Sequence, residues 1–386
     1  MSKQASKFRL YPTRKQVQAL SWTVDRCREL YNAALQERRD AYRMVGKSIT
    51  YYDQANQLAA IKQDREEYQD IHSQVLQDVL RKVDKAFKAF FARYKRDDTP
   101  GFPRYKGRNQ FDSFTYPQTG FSLTHDNRIT LSKIGSIKVK LHREIKGTIK
   151  TCTIKREGDA WYVVFVCEVE ADALEANNEA VGIDLGLLHF ATLSTGETIE
   201  NPRHYRKAEK RLERLQQALS RKKRGSRRRR KAAKQVAKLH RKVSNQRRDF
   251  LHKQSRKLVN TYGTMVLEEL QPANMSKRPK PKQDENGKYL PNGAAGKSGL
   301  NKSIVDAGWG MFQQFCTYKA ENAGREVLFV NPQYTSQVCS GCGQVRKKDL
   351  SERWHSCECG TELDRDHNAA LNILALGRRV QVAQAS

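Results

Sequence analysis

A chain of 386 residues holds 72 lysines and arginines against 42 aspartates and glutamates, a formal charge of +30. Such an excess argues against a small-molecule metabolic enzyme and for a partner that is itself a polyanion. No apolar stretch approaches the ~20 residues of a membrane span, and the opening MSKQASKFRLYP has no apolar export core, so a cytosolic protein with no membrane partner is expected.

In chain order, KFRLYPT alternates like a strand and is closed by Pro12, which sets a first strand within 1–12. Thr13 and Gln16 have capping-box spacing, and Val17, Leu20, Val24, Cys27, Tyr31 and Leu35 follow as one apolar stripe. Asp53 is expected to cap a short helix through Lys62. Ser73 opens a third helix with Val75, Val79, Val83, Phe87, Phe90 and Tyr94 facing inward, which makes 13–100 a helical insertion. TPGFPRYKG then breaks the helix. Over 101–175 the pattern has period two, with turns at Asp126-Asn127 and Glu157-Gly158-Asp159, so a small antiparallel β-barrel is expected. The strand near Phe8 is expected to join it, placing the helices between its first and second strands.

A third region covers 176–335. AVGIDLGLLHFATLSTG reads as a buried strand, a turn at Gly186 and a returning strand. Residues 203–261 read as long basic helices, and ten of the fourteen residues of 221–234 are Lys or Arg. TMVLEEL reads as a second buried strand, 276–300 as an unstructured linker, and Ser303–Asn322 as a helix before the strand REVLFV. A cysteine-rich segment over 336–362, a final helix within 363–377 and a tail over 378–386 complete the division.

Two motifs carry chemistry. Cys339-Ser-Gly-Cys342 and Cys357-Glu-Cys359 are two close pairs separated by fourteen residues. Four thiolates so paired match one closed, structural, tetrahedral Zn²⁺. The short second pair leaves His355 as an alternative ligand. Separately, Asp184 lies inside VGIDLG, Glu268 inside VLEEL, and Asp366 in DRDHNAALNIL. A carboxylate in a buried strand costs several kcal/mol unless it is paired or metal-bound. Three such acids from separate elements suit two Mg²⁺ ions about 3.5–4 Å apart that hydrolyse a phosphodiester.

VGIDLG, VLEEL, Cys-x-x-Cys with Cys-x-Cys-Gly, and DRDHNAALNI, in that order and with GFPRYKG and DAGWGMF, resemble the transposon-encoded TnpB (OrfB) family, relatives of type V CRISPR effectors. The resemblance spans essentially the whole chain. It implies a multidomain α+β protein: a split wedge β-barrel with an inserted helical recognition domain, then an RNase H-like α/β RuvC domain interrupted by a zinc ribbon. It further implies a bacterial or archaeal, nucleoid-associated endonuclease, monomeric, that uses a guide RNA from the transposon end to cut both strands of matching DNA beside a short motif. By position, Asp184, Glu268 and Asp366 would be its metal-binding catalytic acids. The family pattern prefers Glu268 to Glu269, and Asp366 to Asp364. Tyr51, Gln77 and Thr115 would read the adjacent motif. Arg227, Arg228, Arg229 and Arg230 would touch nucleic-acid backbone, because a guide–target heteroduplex is recognised by its A-form shape. The one-residue spacer of Cys357-Glu-Cys359 departs from the commoner Cys-x-x-Cys. A nuclease-inactive RNA-guided repressor and an accessory transposition protein are the alternatives. Retention of all three acids counts against the first, and the absence of a His-x-His pair against a tyrosine transposase.

Overall fold

A computed structural model describes residues 2–96, 100–108, 110–170, 173–349 and 352–385. The chain forms two compact units, Met1–Glu170 and Ala171–Ser386.

In the first unit, β1 (Ser2–Tyr11) leads through Thr13 into α1 (Arg14–Val45). Thr13 and Gln16 form the expected reciprocal box, the Thr13 N–H donating to Gln16 Oε1 at 2.9 Å and the Gln16 N–H to Thr13 Oγ1 at 3.4 Å. Gly46, with φ +64°, closes the helix in the left-handed region that favours glycine. Next come α2 (Tyr51–Asn56), α3 (Leu58–Asp64) and α4 (Ser73–Lys95). Asp53 is not the cap of α2. Thr50 holds that position and Asp53 is its partner three residues on, so the box begins earlier than the carboxylate alone suggested.

Six strands follow: β2 (Ser113–Tyr116), β3 (Phe121–Thr124), β4 (Arg128–Leu131), β5 (Gly135–Lys140), β6 (Thr148–Glu157) and β7 (Ala160–Val169). With β1 they make one antiparallel sheet in the order β2-β6-β7-β1-β5-β4-β3. The opening strand therefore sits in the sheet, pairing Ser2–Leu10 with Trp161–Val169. The four helices are inserted between β1 and β2. Phe8, Leu10, Ile129, Ile154 and Phe165 from the sheet share one core with Leu20, Val24 and Cys27 of α1 and Val75, Val79 and Val83 of α4. The stripe on α4 does not stay inside to Tyr94: Phe87 is half-buried against the rim of this core, Phe90 is half-buried and Tyr94 is exposed, because full enclosure ends at Val83.

The second unit contains β8 (Ala180–Asp184), β9 (His189–Leu193), β10 (Thr198–Glu200), α5 (His204–Ser220), α6 (Arg227–Thr261) and β11 (Thr264–Glu268). After them come α7 (Pro272–Met275), the two-residue strands β12 (Lys282–Gln283) and β13 (Tyr289–Leu290), α8 (Ala294–Ala307), α9 (Trp309–Ala323) and β14 (Glu326–Val330). The unit ends in a hairpin of β15 (Trp354–Ser356) and β16 (Glu362–Asp364) and the helix α10 (Arg365–Ala385). The segment 276–300 is not structureless, since it carries the small β12–β13 hairpin and the start of α8. The helix expected from Ser303 to Asn322 is two helices, broken at Gly308 with φ +74°. The last helix runs through the expected tail.

The sheet order is β10-β9-β8-β11-β14, with β8, β11 and β14 parallel and β9 antiparallel to β8. Alternation assigns the two faces. Val181, Ile183, Met265 and Leu267 pack with Leu251, Leu258, Phe312 and Cys316 of α6 and α9, whereas Val266, Leu328 and Val330 pack with Ile373 of α10. Gly182 lies beside Val266 on the second face. A Cβ there would come within 2.1 Å of the Ala370 carbonyl oxygen, so the missing side chain lets α10 lie directly on β8.

Candidate active site and metal centre

The parallel strands β8 and β11 run in register from Thr264↔Ala180 to Leu267↔Ile183, and the next residues, Glu268 and Asp184, end them side by side. The carboxyl ends of parallel strands are where open α/β sheets place ligands. Asp366 enters from the first turn of α10, close enough to the β8–β9 turn that a Cβ on Gly186 would lie 4.0 Å from Asp366 Oδ2. Burial pushes the Asp184 carboxyl well above its usual range, and the negative charges of Glu268 and Asp366 push it further. Burial likewise raises Glu268, against the Thr335 hydroxyl, which donates to Glu268 Oε1 at 2.5 Å. Asp366 is raised by burial and by Asp364, while Arg353, Arg365 and His189 pull it down. Carboxylates that oppose one another's ionisation in this way favour a cation among them.

The neighbours of the two acids sit differently from them. Glu269 is exposed, whereas Glu268 is buried against Thr335. Asp364 accepts the backbone N–H groups of Asp366 at 2.8 Å and His367 at 3.2 Å. It therefore satisfies the free amides at the start of α10, a task that keeps its carboxylate on the helix end.

The four cysteines meet. Their Sγ atoms all lie within 4.8 Å of one another, with Cys339–Cys359 and Cys342–Cys357 each at 3.6 Å. Thiolates ~2.3 Å from a tetrahedral zinc stand at about this separation. Among the described residues this is the group of Cys, His and acid side chains close enough to enclose one ion. His355 does not substitute for a cysteine. It is buried beside Cys339, with Lys348 Nζ on its Nδ1. Burial raises the Cys339 thiol, but its polar neighbours, the amides of Cys342 and Gly341 among them, outweigh it and bring the pKa down to about 5. At Cys342 the Gln344 amide is outweighed by the neighbouring sulfurs, which push that thiol up to about 12, so the crowded sulfurs divide between thiolate and thiol until a cation joins them.

Two residues escaped the sequence reading. Asn368 of α10 accepts the Ser340 N–H at 3.0 Å and donates to the Val338 carbonyl at 2.7 Å. One turn on, Asn372 donates to the carbonyls of Thr335 at 2.9 Å and Val338 at 2.7 Å. Both are buried. The i, i+4 spacing of asparagines in HNAALN was the available signal: two amides on one helix face, in an otherwise apolar run, need partners. They clamp the cysteine segment to the helix that bears Asp366. Cys339→Ser with Cys342→Ser is thus expected to remove about one zinc per chain by metal analysis, to lower the melting temperature, and to impair whatever chemistry Asp366 performs. A metal-free double variant with unchanged melting would exclude the centre.

α5 and α6 form a helical hairpin joined through Arg221–Ser226. The four arginines at the start of α6, 227–230, divide. Arg227 and Arg228 are exposed, whereas Arg229 Nη1 donates to the carbonyls of Leu219 at 2.8 Å and Lys222 at 3.1 Å, closing the end of α5, and Arg230 reaches the Gly225 carbonyl at 3.2 Å. Tyr51 sits at the start of α2, its hydroxyl accepting from Arg81 Nε at 3.2 Å. Gln77 is one turn before Arg81 on α4. Thr115 lies on the edge strand β2, its hydroxyl 3.1 Å from that of Thr153. The three are half-buried, and no bond joins them directly. Asp306 of DAGWGMF is structural: its carboxylate accepts the Tyr205 N–H and Arg247 Nη2, each at 2.8 Å, and fixes the start of α5.

Residues 164–279 match a family model described as "Probable transposase", 309–373 one described as "Cas12f1-like, TNB domain", and 1–47 one described as "Helix-turn-helix domain". In this chain the last of these segments is β1 followed by one continuous helix over Arg14–Val45. The chain is 35% identical to "Putative RNA-guided DNA endonuclease InsQ" of Escherichia coli K12, over 98% of its own length and 93% of that protein's. It is 35% identical to a "Putative RNA-guided DNA endonuclease" of Streptomyces pristinaespiralis, over 97% and 89% of the two chains. It is also 30% identical to "CRISPR-associated endodeoxyribonuclease Cas12f1" of Sulfoacidibacillus thermotolerans, over 55% of this chain and 49% of that one.

Proposed function

We propose, for a chain that belongs to the transposon-encoded TnpB (OrfB) family, that Asp184, Glu268 and Asp366 cut DNA selected by a guide RNA. The protein is an RNA-guided DNA endonuclease. In this reading it cuts both strands of guide-matched duplex next to a short motif. The observation that carries the assignment is the meeting of three carboxylates from β8, β11 and α10 at the carboxyl ends of two neighbouring parallel strands, each pushed toward its neutral form.

A pair of Mg²⁺ ions would supply the Lewis acidity for in-line hydrolysis of a phosphodiester. The chain's own part is positioning. Asp184 lies within the field of both other acids and would hold both ions. Thr335 orients Glu268, and Asp364 holds the first amides of α10 so that Asp366 is presented to the sheet. The mixed five-stranded sheet with α10 on one face and α6 and α9 on the other would be the RuvC-like domain. The seven-stranded sheet with its helical insertion would be the wedge and recognition domain. Zinc on Cys339, Cys342, Cys357 and Cys359 has no open position and would be structural.

The α5–α6 hairpin would lie against nucleic-acid backbone, with Arg227 and Arg228 as phosphate contacts and Arg229 and Arg230 serving the turn. Tyr51, Gln77 and Thr115 remain the proposed readers of the adjacent motif. The protein would act as a monomer in the cytoplasm, on the nucleoid. The test is plasmid cleavage with matched guide, mismatched guide and no guide. Cutting is expected with the matched guide alone, and a new guide end should move the cut to a new target beside the same motif. Equal cutting in all three arms would defeat guided recognition and leave the acid site standing.

A further inference from the structure

The apolar stripe of α4 outlasts the core that it serves. Val75, Val79 and Val83 are fully enclosed, but the stripe continues to Phe91, 55% exposed, and Tyr94, 69% exposed. Facing it, residues 100–108 present Phe102 and Tyr105 to solvent. Of these rings, Phe91 and Phe102 are held by contact with Phe87 and Phe90 more than by burial. Phe102 stands edge-on to Phe87 at 5.7 Å and to Phe90 at 5.4 Å, and Phe87 stacks on Phe91 at 6.5 Å with the planes 28° apart. The loop is pinned to α1: Asn32 accepts the Lys106 N–H at 2.7 Å and donates to the Lys106 carbonyl at 3.0 Å. Arg39 lies over the Tyr105 ring at 5.3 Å.

Residues 85–108 contain eight lysines and arginines against two acids. Preset aromatic rings interleaved with cations match the chemistry of unpaired bases: each ring stacks a base and the cations meet its phosphates. A protein partner for an apolar face would not call for such an excess of one sign. Exposed apolar patches also invite self-association unless they are covered for most of the protein's life. RNA that stays bound between targets covers the patch continuously, whereas target DNA comes and goes.

We infer that the surface formed by Phe91, Tyr94, Phe102 and Tyr105 stacks unpaired bases of the resident RNA. The inference rests on the guide-RNA reading above. The probe is the RNA that co-purifies with the full chain, sequenced and transcribed anew. With Phe91→Ala and Tyr94→Ala together, its affinity should fall roughly 10- to 100-fold. The slope of log affinity against log salt should not change, because stacking releases no counterions. Phe91→Tyr with Tyr94→Phe should bind like the original, which separates stacking from fold damage, and Tyr105→Ala alone should weaken binding in the same manner.

Unchanged RNA affinity in the alanine variants would overturn the inference, as would a shallower salt slope. Loss of binding to a short deoxythymidine oligonucleotide, with RNA affinity intact, would assign the surface to DNA. Conversion of a self-associating protein to a monomer, again with RNA affinity intact, would make it a protein interface. Each of those two results also overturns it. Failure of the unaltered protein to bind the RNA would instead remove the guide-RNA reading itself, and this inference with it.

Discussion

Asp184→Asn is expected to lower DNA cleavage by on the order of 10³-fold or more while guide-directed DNA binding persists, and to raise the melting temperature of the metal-free protein. The two effects share one cause. Two-metal hydrolysis needs the charge that folding opposes. The folded pKa of Asp184 lies above its unfolded value through burial and the neighbouring Glu268 and Asp366. The folded state therefore binds the proton more tightly, and the penalty is present at pH values above the folded pKa. It fades as pH falls through that pKa toward the unfolded one. Asn removes it, so the metal-free variant should melt a few degrees higher near neutral pH, about 2–4 °C for each kcal/mol recovered, and the difference should close in acid. Mg²⁺ should raise the melting temperature of the original more than that of the variant. Glu268→Gln and Asp366→Asn should behave similarly in cleavage. Full activity of any of the three would remove that residue from the catalytic set. A metal-free Asp184→Asn protein no more stable than the original at neutral pH would show that the acids do not crowd one another.

Gly182→Val should abolish cleavage with all three acids in place. The first added carbon would fall 2.1 Å from the Ala370 carbonyl oxygen and 2.7 Å from the Leu374 nitrogen, both backbone atoms of α10. Neither is the free end of a flexible side chain, so the helix itself must move. With it would move Asp366 and the two asparagines that clamp the cysteine segment. Overpacking in a closed core costs ~1–3 kcal/mol and at times more, so a fall of several degrees in melting temperature is expected. Gly101→Ala is the matched control, since an added carbon there meets nothing within 4 Å. Thermal melts and plasmid cleavage on the two variants decide the matter. Normal melting and normal cutting by Gly182→Val would mean that α10 does not rest on β8 as described.

The acids were legible because each interrupts an apolar strand or opens an apolar helix, where a charge is too costly to be incidental. The cysteines were legible through spacing alone. What resisted was every feature decided by how a turn or helix end folds locally, or by how far the core extends. Tyr94 belongs to a well-formed stripe, but periodicity says which face a residue occupies and not whether the core extends that far. Asp364 and Asp366 look alike in DRDH. Only the position of the first helical amide makes one the cap and leaves the other free. Arg229 sits in a run of four arginines, and its duty to the end of α5 depends on how the preceding turn folds back. Asp53 belongs to the capping box of α2 but not as its cap, because Thr50 competes for the same amides, and the single helix expected through Lys62 is two, α2 and α3.

Synthesis order gives the α10 carboxylate a further meaning. A ribosome delivers the strands with Asp184 and Glu268, and the basic helical hairpin, before Asp366 exists. A chain that stopped just before α10 would hold Asp184 and Glu268 without Asp366, and would also lack the helix that covers Val266, Leu328 and Val330, so completion of the site and closure of this face of the sheet come in the same step.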